Sequence, residues 1–321
     1  MQLMRILCAL LMLMGVQVHA AQPENYLYTH SGALNQIQSL VVRSDIHGVQ
    51  IVYNWKQLEP KKGEYDFSAI EHDLSILKRL RKKLFIQIQD RFFDVNARSV
   101  PAYLLNDSAY HGGLIAQIDN PGEGKPQAQG WVAMQWDPAV RERYQALLAA
   151  LGQHFDGEIA GINLPETAID LDSRQAAAKG FTCDNYFAAT LENMQAARKA
   201  FTHSAVVQYV NFWPCEWNDN HHYMSRLFAT AEAENIGLGG PDIVPNKASH
   251  MKNAYPFFNQ YKGKLPLVAM AVQEPTLTYT NPRTKQKFSR DEFTQFAEQY
   301  LGADIIFWST ESPWLQQQNR L

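Results

Sequence analysis

The sequence is poor in cysteine, carries little net charge and, after its first twenty residues, lacks any long hydrophobic run. Lysine and arginine number 29 against 32 aspartates and glutamates, so the formal net charge is −3 at pH 7. This balance gives no basic surface of the kind that nucleic-acid binding needs, and we predict no nucleic-acid partner. No later segment is apolar over the ~20 residues of a membrane span. What is left is an ordinary globular composition, 46% hydrophobic and 19% charged.

The first twenty residues have the pattern of a secretory signal peptide. Arg5 precedes an apolar run over 6–16, and Val18-His19-Ala20 places small residues at the two positions that a signal peptidase reads. The run is too short for a stable membrane span. We therefore expect cleavage after Ala20, a single mature domain over 21–321 and a periplasmic or secreted location.

Two of the three cysteines, Cys183 and Cys215, lie beyond this segment. In an oxidising compartment such a pair often forms a disulfide. Sequence alone does not place the two within bridging distance, so two free thiols are the alternative.

Short apolar runs alternate with helical patterns along the rest of the chain. Runs with few charges are typical of strands buried on both faces. Eight strand–helix alternations favour an α/β protein with a single-domain (β/α)₈ TIM barrel. A doubly wound sheet is the alternative, but it usually has a glycine-rich loop after its first strand, and Asn54-Trp55-Lys56-Gln57 stands there instead. The predicted strands are 48–53, 84–89, 131–135 (the weakest), 158–163, 205–211, 235–239, 266–272 and 303–308.

Between these strands lie helix-capping signals and one long insertion. The insertion, over 91–130, follows the second predicted strand and is rich in glycine, proline and asparagine. Loops of this length are usually functional or disordered, and on a barrel this one would lie over the catalytic face. The capping signals are the pairs Ser68/Glu71 and Ser289/Glu292, Asp137 before Pro138, and Asp184.

Two glutamates follow predicted strands at positions that suit catalysis. Reactive groups of such barrels lie where strands end and loops begin, and Glu166 follows the fourth predicted strand while Glu274 follows the seventh. These strands lie on opposite sides of an eight-stranded barrel, so the two side chains can converge across its mouth. Hydrolysis of an acetal needs an acid for the leaving oxygen and a carboxylate that meets the positive charge at the anomeric carbon. We predict Glu166 and Glu274 as the catalytic pair.

Other side chains near the strand ends suit a carbohydrate substrate. Tryptophan rings can stack on pyranose faces, and amides and carboxylates can hydrogen-bond to hydroxyls; for any single tryptophan, packing at the barrel rim is the alternative. Four histidines (203, 221, 222 and 250) include an adjacent pair but no i, i+4 zinc pair, so we predict no metal and no cofactor. The predicted substrate-binding residues are Asn54, Trp55, Gln89, Asp90, Trp136, Asn163, Asn211, Trp213, Asp242 and Trp308.

The segment 53–67 resembles the first strand–loop–helix segment of clan A glycoside hydrolases. Trp55, Leu58-Glu59-Pro60, Gly63 and Tyr65-Asp66-Phe67 are similar to the pattern in β-galactosidase-like, xylanase-like and cellulase-like members. The resemblance runs loosely through all eight predicted strands, and Trp308 matches a tryptophan that these enzymes often carry on strand eight.

The resemblance implies a role for each glutamate. In that clan the acid/base follows strand four, matched by 162–167 with Glu166, and the nucleophile follows strand seven, matched by 270–275 with Glu274. The clan usually has asparagine directly before the acid/base; here Pro165 stands there and Asn163 lies three residues before Glu166. The implied function is hydrolysis of O-glycosidic bonds in a poly- or oligosaccharide with retention. A non-catalytic polysaccharide-binding barrel and a transglycosylase are the alternatives.

Overall fold

Eight parallel strands close into a barrel in the computed structural model, which describes residues 22–118 and 128–316. The predicted signal peptide and part of the predicted insertion lie outside the described residues. The strands are β1 (Glu24–His30), β2 (Gly48–Asn54), β3 (Lys83–Gln89), β4 (Arg91–Phe92), β5 (Leu114–Ile118), β6 (Ala128–Ala133), β7 (Gly161–Leu164), β8 (Ala205–Tyr209), β9 (Gly237–Gly240), β10 (Val268–Val272) and β11 (Ile305–Ser309).

The barrel order is β1-β2-β3-β7-β8-β9-β10-β11, with β11 pairing back to β1. The predicted TIM-barrel fold is therefore confirmed. The short strands β4, β5 and β6 form a separate antiparallel sheet in the order β4-β6-β5. This sheet belongs to the predicted insertion, which follows the third barrel strand and not the second as predicted.

Two errors in the predicted strand order cancel. The first barrel strand, β1, was not predicted because its sequence, ENYLYTH, has an apolar run of only three residues, Tyr26-Leu27-Tyr28. The predicted third barrel strand at 131–135 is wrong, because residues 131–133 are the last residues of β6, which belongs to the small sheet and not to the barrel. One strand missed and one added leave Glu166 after the fourth barrel strand, β7, and Glu274 after the seventh, β10.

Helices cover the outside of the barrel. In the described residues no helix is long and apolar enough to cross a membrane. Apart from short 3₁₀ turns and one π turn, the helices are α1 (Gln38–Val41), α2 (Trp55–Leu58), α3 (Ser68–Arg79), α4 (Ala102–Asn106), α5 (Pro138–Phe155), α6 (Ser173–Ala178), α7 (Cys183–Ala200), α8 (Tyr223–Ala233), α9 (His250–Asn253), α10 (Tyr255–Gln260), α11 (Arg290–Phe296) and α12 (Pro313–Gln316).

Two of the four capping predictions are confirmed. Asp137 caps α5 with proline at its first position, and Ser289 forms a capping box with Glu292 at the start of α11. The other two are wrong. The capping box of α7 pairs Thr182 with Asn185, so Asp184 is free to accept a hydrogen bond from Tyr223. At α3 the Ser68 amide is bound by Asp66, and no Ser68/Glu71 box forms.

Inside the barrel, aromatic rings pack against glycines of neighbouring strands. Tyr26, Phe85, Tyr209 and Phe307 belong to a buried cluster inside the barrel. Gly161 pairs with Phe85 across the β3–β7 ladder, and a β-carbon at Gly161 would lie 2.5 Å from the Phe85 ring. The small residues therefore make room for the large rings, as close packing requires.

Cys183 and Cys215 form a disulfide. Cys183 begins α7, Cys215 lies in the loop after β8, and their Cα atoms are 6.4 Å apart. The bond joins positions 32 residues apart and ties the β8 loop to the surface of the barrel.

Replacement of both cysteines by serine is expected to lower the free energy of unfolding by about 3–4 kcal/mol, because the unfolded chain regains the freedom of a loop of this length. Equilibrium urea denaturation measures the loss. A reductant should reproduce it in the wild type and have no effect on the double variant. A wild type that is insensitive to full reduction would contradict this prediction.

Candidate active site

A cleft of about 410 Å³ opens at the carboxyl ends of the barrel strands. Its wall is formed by residues of strands β1, β3 and β8. The segments that follow β3, β7, β9 and β10 also contribute to it. Its lining residues are Tyr28, His30, Gln87, Ile88, Gln89, Arg91, Phe93, Asp94, Ser99, Pro165, Glu166, Tyr209, Pro241 and Gln273.

Glu166 is held from both sides of its carboxylate. The side-chain amide of Asn211 donates a hydrogen bond to Oε2 at 3.2 Å. Arg91 Nη1 lies 3.3 Å from Oε1, and Arg91 also donates to the backbone oxygens of Glu166 and Ala168. Only 17% of the Glu166 side chain is exposed, so these contacts hold the carboxyl group in place and influence its ionisation.

Burial raises the pKa of Glu166 above its ordinary value. The positive charge of Arg91 and the hydrogen bond from Asn211 oppose this shift, while the charge of Asp242 adds to it. A carboxyl group with a raised pKa keeps its proton closer to neutral pH, as a general acid must.

Glu274 lies two residues beyond the end of β10 and is partly buried. Ser309, the last residue of β11, donates a hydrogen bond to Oε1 at 2.6 Å. The neighbouring phenol of Tyr28 has its pKa raised by burial and by the charges of Glu274 and Asp242. Since Tyr28 also lines the cleft with Glu166, both glutamates belong to one end of the barrel.

Ser309→Ala is expected to lower kcat/KM by about 10- to 100-fold, the usual value of a hydrogen bond to a charged group, because the Glu274 carboxylate loses the donor that orients it. Ser312→Ala is the matched control: Ser312 is an equally buried serine three residues later, and its Oγ has no hydrogen-bond partner among the described residues. Equal losses in the two variants would contradict a specific role for Ser309.

Three predicted polar residues lie near Glu166. Asn211 contacts it directly, Gln89 lines the same cleft, and the charge of Asp242 acts on it. Asp242 accepts a hydrogen bond from Thr276 at 2.5 Å. Asn54, by contrast, caps helix α2 by accepting from the Gln57 amide.

The predicted tryptophan stacking is wrong. Trp55 and Trp308 are fully buried, and Trp136 and Trp213 are 4% and 2% exposed. The indole N–H of Trp55 donates to the Glu59 carboxylate, and that of Trp136 donates to the Lys179 backbone oxygen. The indole N–H of Trp308 donates to the Asn25 side chain. Trp213 packs against Tyr186 and Phe187. Trp308 points to the helices because side chains alternate along a strand and its neighbours Phe307 and Ser309 point inward.

Asn163 and Asp90 are also not available to a substrate. Asn163 is wholly buried inside the barrel, below the cleft. Asp90 is 1% exposed and lies behind Glu166, where Gln135 donates to it at 2.7 Å. Neither fulfils the predicted hydroxyl contact, and the position of Asn163 means that it does not replace the asparagine missing before Glu166.

Several residues of the cleft were not predicted from the sequence. Tyr28 and His30 belong to the strand that was not predicted, so no local signal placed them at a strand end. Arg91 follows Asp90 directly after β3, and a basic residue at that place was the available sign of a carboxylate partner. Phe93, 65% exposed, is an aromatic ring at the mouth of the cleft. In the described residues no cluster of histidine, cysteine or acidic side chains could hold a metal ion.

No protein-family model and no curated protein sequence matches the chain. Solved structures do resemble it. The catalytic domain of β-amylase from Paenibacillus polymyxa has a TM-score of 0.57 at 9% identity, covering 90% of this chain and 93% of that one. A family 39 glycoside hydrolase from Bacteroides cellulosilyticus WH2 has 0.53 at 11%, covering 90% and 56%.

Endo-glycoceramidase II from Rhodococcus sp., in a lactosyl-enzyme intermediate, has a TM-score of 0.51 at 12% identity, covering 91% of this chain and 74% of that one. At these identities the likeness concerns the arrangement of the chain. The protein therefore shares its barrel fold with structures of glycoside hydrolases.

Proposed function

We propose that this protein is a secreted glycoside hydrolase that cleaves O-glycosidic bonds of a poly- or oligosaccharide with retention at the anomeric carbon. One observation carries the proposal: Glu166, whose pKa is raised by burial, and Glu274, oriented by Ser309, follow the fourth and seventh barrel strands at one end of the barrel. The solved structures that resemble the chain add support, since a β-amylase, a family 39 glycoside hydrolase, a family 10 endo-β-1,4-xylanase and an endo-glycoceramidase are among them.

Glu166 is proposed as the acid/base. In the first step its proton passes to the glycosidic oxygen, so that the leaving sugar departs as an alcohol. The carboxylate that remains is stabilised by Arg91 and Asn211. In the second step it takes a proton from water, and the resulting hydroxyl attacks the anomeric carbon.

Glu274 is proposed as the nucleophile. Its carboxylate forms a covalent bond to the anomeric carbon as the bond to the leaving oxygen breaks, and water later releases the sugar. Two displacements at one carbon restore the starting configuration. This chemistry uses no metal and no cofactor.

The polar side chains of the cleft are proposed to bind the sugar hydroxyls. Gln87, Gln89 and Gln273 present amides along its wall, and the exposed ring of Phe93 offers a stacking surface at its mouth. Export through the signal peptide over 1–20 would bring the enzyme to polysaccharides outside the cytoplasm.

Incubation with a panel of polysaccharides and chromogenic glycosides tests the proposal. New reducing ends that form with the wild type and not with the Glu166→Gln/Glu274→Gln double variant would support hydrolysis, and proton NMR of the first product would show whether the anomer is retained. Binding without new ends would indicate a polysaccharide-binding barrel. Longer products with no net increase in reducing ends would indicate a transglycosylase.

A further inference from the structure

A second cavity, of about 30 Å³, lies behind Glu166 between the barrel and the helices α5 and α7. Glu166 and Arg91 line it from the barrel side, with Asp90 beside them. Tyr144 of α5 and Tyr186 of α7 close its outer side. A cavity needs roughly 10–15 Å³ of such volume to hold one water molecule, so this one has room for water.

Polar atoms without partners surround the cavity. Asp90 Oδ1, Arg91 Nε and Tyr144 Oη are buried and have no hydrogen-bond partner in the part of the chain that the structure describes. The three residues are 1%, 4% and 1% exposed. An unpaired buried polar group costs about 1–3 kcal/mol, so a polar cavity with several of them favours a bound water molecule.

Asp90 is fixed in this place by a chain of amides. Gln135 donates to its Oδ2 at 2.7 Å, and Asn193 of α7 donates to Gln135 at 3.1 Å. The next residue, Arg91, extends to Glu166 Oε1. The guanidinium charge of Arg91 therefore acts on two buried carboxyl groups, Asp90 and Glu166.

We propose that Asp90 is a positioning residue for Glu166: with a water molecule bound in the cavity, it supplies the buried counter-charge of Arg91 and leaves Glu166 able to hold a proton. Arginine stays protonated in proteins, and a buried charge requires an opposite charge. When Asp90 is ionised it neutralises Arg91. Without that charge, Glu166 becomes the counter-ion and loses its proton more readily. The catalytic meaning of this coupling rests on the proposed function, but the coupling itself does not.

Titratable groups face Glu166 from both sides. Arg91 and Asp242 act on its charge, and the phenols of Tyr186 and Tyr209 lie near it. Asp90 lines the second cavity with Glu166, and the groups that share the cleft with it are Tyr28, His30 and Asp94. Asp90 faces Arg91, Tyr144 and Tyr186. Burial raises the pKa of Asp90, and the charge of Arg91 and the hydrogen bond from Gln135 oppose this shift and favour the ionised form. Burial raises the pKa of each of these tyrosines, that of Tyr186 to about 12, so the phenols are neutral at the pH of interest. In the second cavity, away from the cleft, Asp90 and Arg91 are thus the charged pair beside Glu166.

The test is a pH titration of the Glu166 carboxyl group, monitored by carbon NMR in protein labelled with ¹³C at the glutamate carboxyl groups. The Glu166 signal is assigned by its absence in Glu166→Gln. In Asp90→Asn the midpoint is expected to fall by about one pH unit or more, the usual effect of an unbalanced opposite charge. Asp73→Asn is the matched control: Asp73 is a buried aspartate on α3, bound to Tyr53, and its replacement should leave the midpoint unchanged.

An unchanged midpoint in folded Asp90→Asn would overturn the inference. If that variant does not fold, Gln135→Ala takes its place, because loss of the donor to Asp90 disfavours the ionised form and should shift Glu166 in the same direction. A high-resolution crystal structure with no water density in the cavity would overturn the part that involves water. If Asp90→Asn lowers the Glu166 midpoint but the wild type hydrolyses no glycan, the proposed function is contradicted and the charge coupling is still supported.

Discussion

Glu274→Gln is expected to lower the rate of glycan hydrolysis by about 10⁴-fold or more, the scale seen when a catalytic nucleophile is removed. The amide preserves the size of the side chain and can still face Ser309, but it cannot form the glycosyl-enzyme. Release of reducing ends under saturating substrate measures the effect. Glu311→Gln, at an exposed glutamate of the adjacent loop, is the control and should keep wild-type activity.

The role of Glu274 can be separated from a general loss of activity. In Glu274→Gly, azide has room to occupy the place of the carboxylate and attack an activated glycoside. The expected product is a glycosyl azide of inverted configuration, because only one displacement takes place. Wild-type rates in Glu274→Gln would show that the nucleophile is another residue, and Asp242, another carboxylate near this site, would be the next candidate.

Glu166→Gln is expected to lower hydrolysis of an unactivated glycan by about 10²- to 10⁴-fold, the range of general acid catalysis. A glycoside whose leaving group is a good anion, such as dinitrophenolate, needs no proton to depart, so formation of its glycosyl-enzyme should be much less affected. The ratio of the two losses is the measurement. A variant that is merely misfolded would lose both activities equally, and that result would contradict the assignment.

The pH profile provides the second sign of the same role. The acid acts in its protonated form, so kcat/KM should fall as the pH rises through the pKa of Glu166. Because burial raises that pKa, activity should extend to higher pH than an ordinary glutamate allows. In Glu166→Gln this basic limb should disappear.

The positions of the glutamates were readable from the sequence because they depend on local features. A buried run such as 268–272 and the polar residues directly after it define a strand end without knowledge of the partner strands. The sequence did not reveal β1, where polar residues on both sides leave only the short apolar run Tyr26-Leu27-Tyr28. The helices were predicted from capping residues, which act within one turn. The two wrong predictions are close misses: Thr182 caps α7 two residues before Asp184, and Asp66 binds the first amide of α3 two residues before Ser68.

The orientation of side chains was not readable in the same way. A strand buried on both faces has no alternation of apolar and polar residues, so nothing in IIFWS tells whether Trp308 or Ser309 faces the barrel axis. The contacts of Arg91 were unreadable for another reason. They join segments 75 and 77 residues apart, and closure of the barrel creates them.

The pairing of Phe85 with Gly161 inside the barrel has a consequence for how this sequence can change. The ring occupies the space that any side chain at position 161 would need, and the Ala205 carbonyl lies 2.7 Å from a β-carbon there. Neither position can therefore vary alone: alanine at 161 requires a smaller residue at 85 and some shift of the neighbouring strand. In related sequences, a larger residue at position 161 should therefore be accompanied by a smaller residue at position 85.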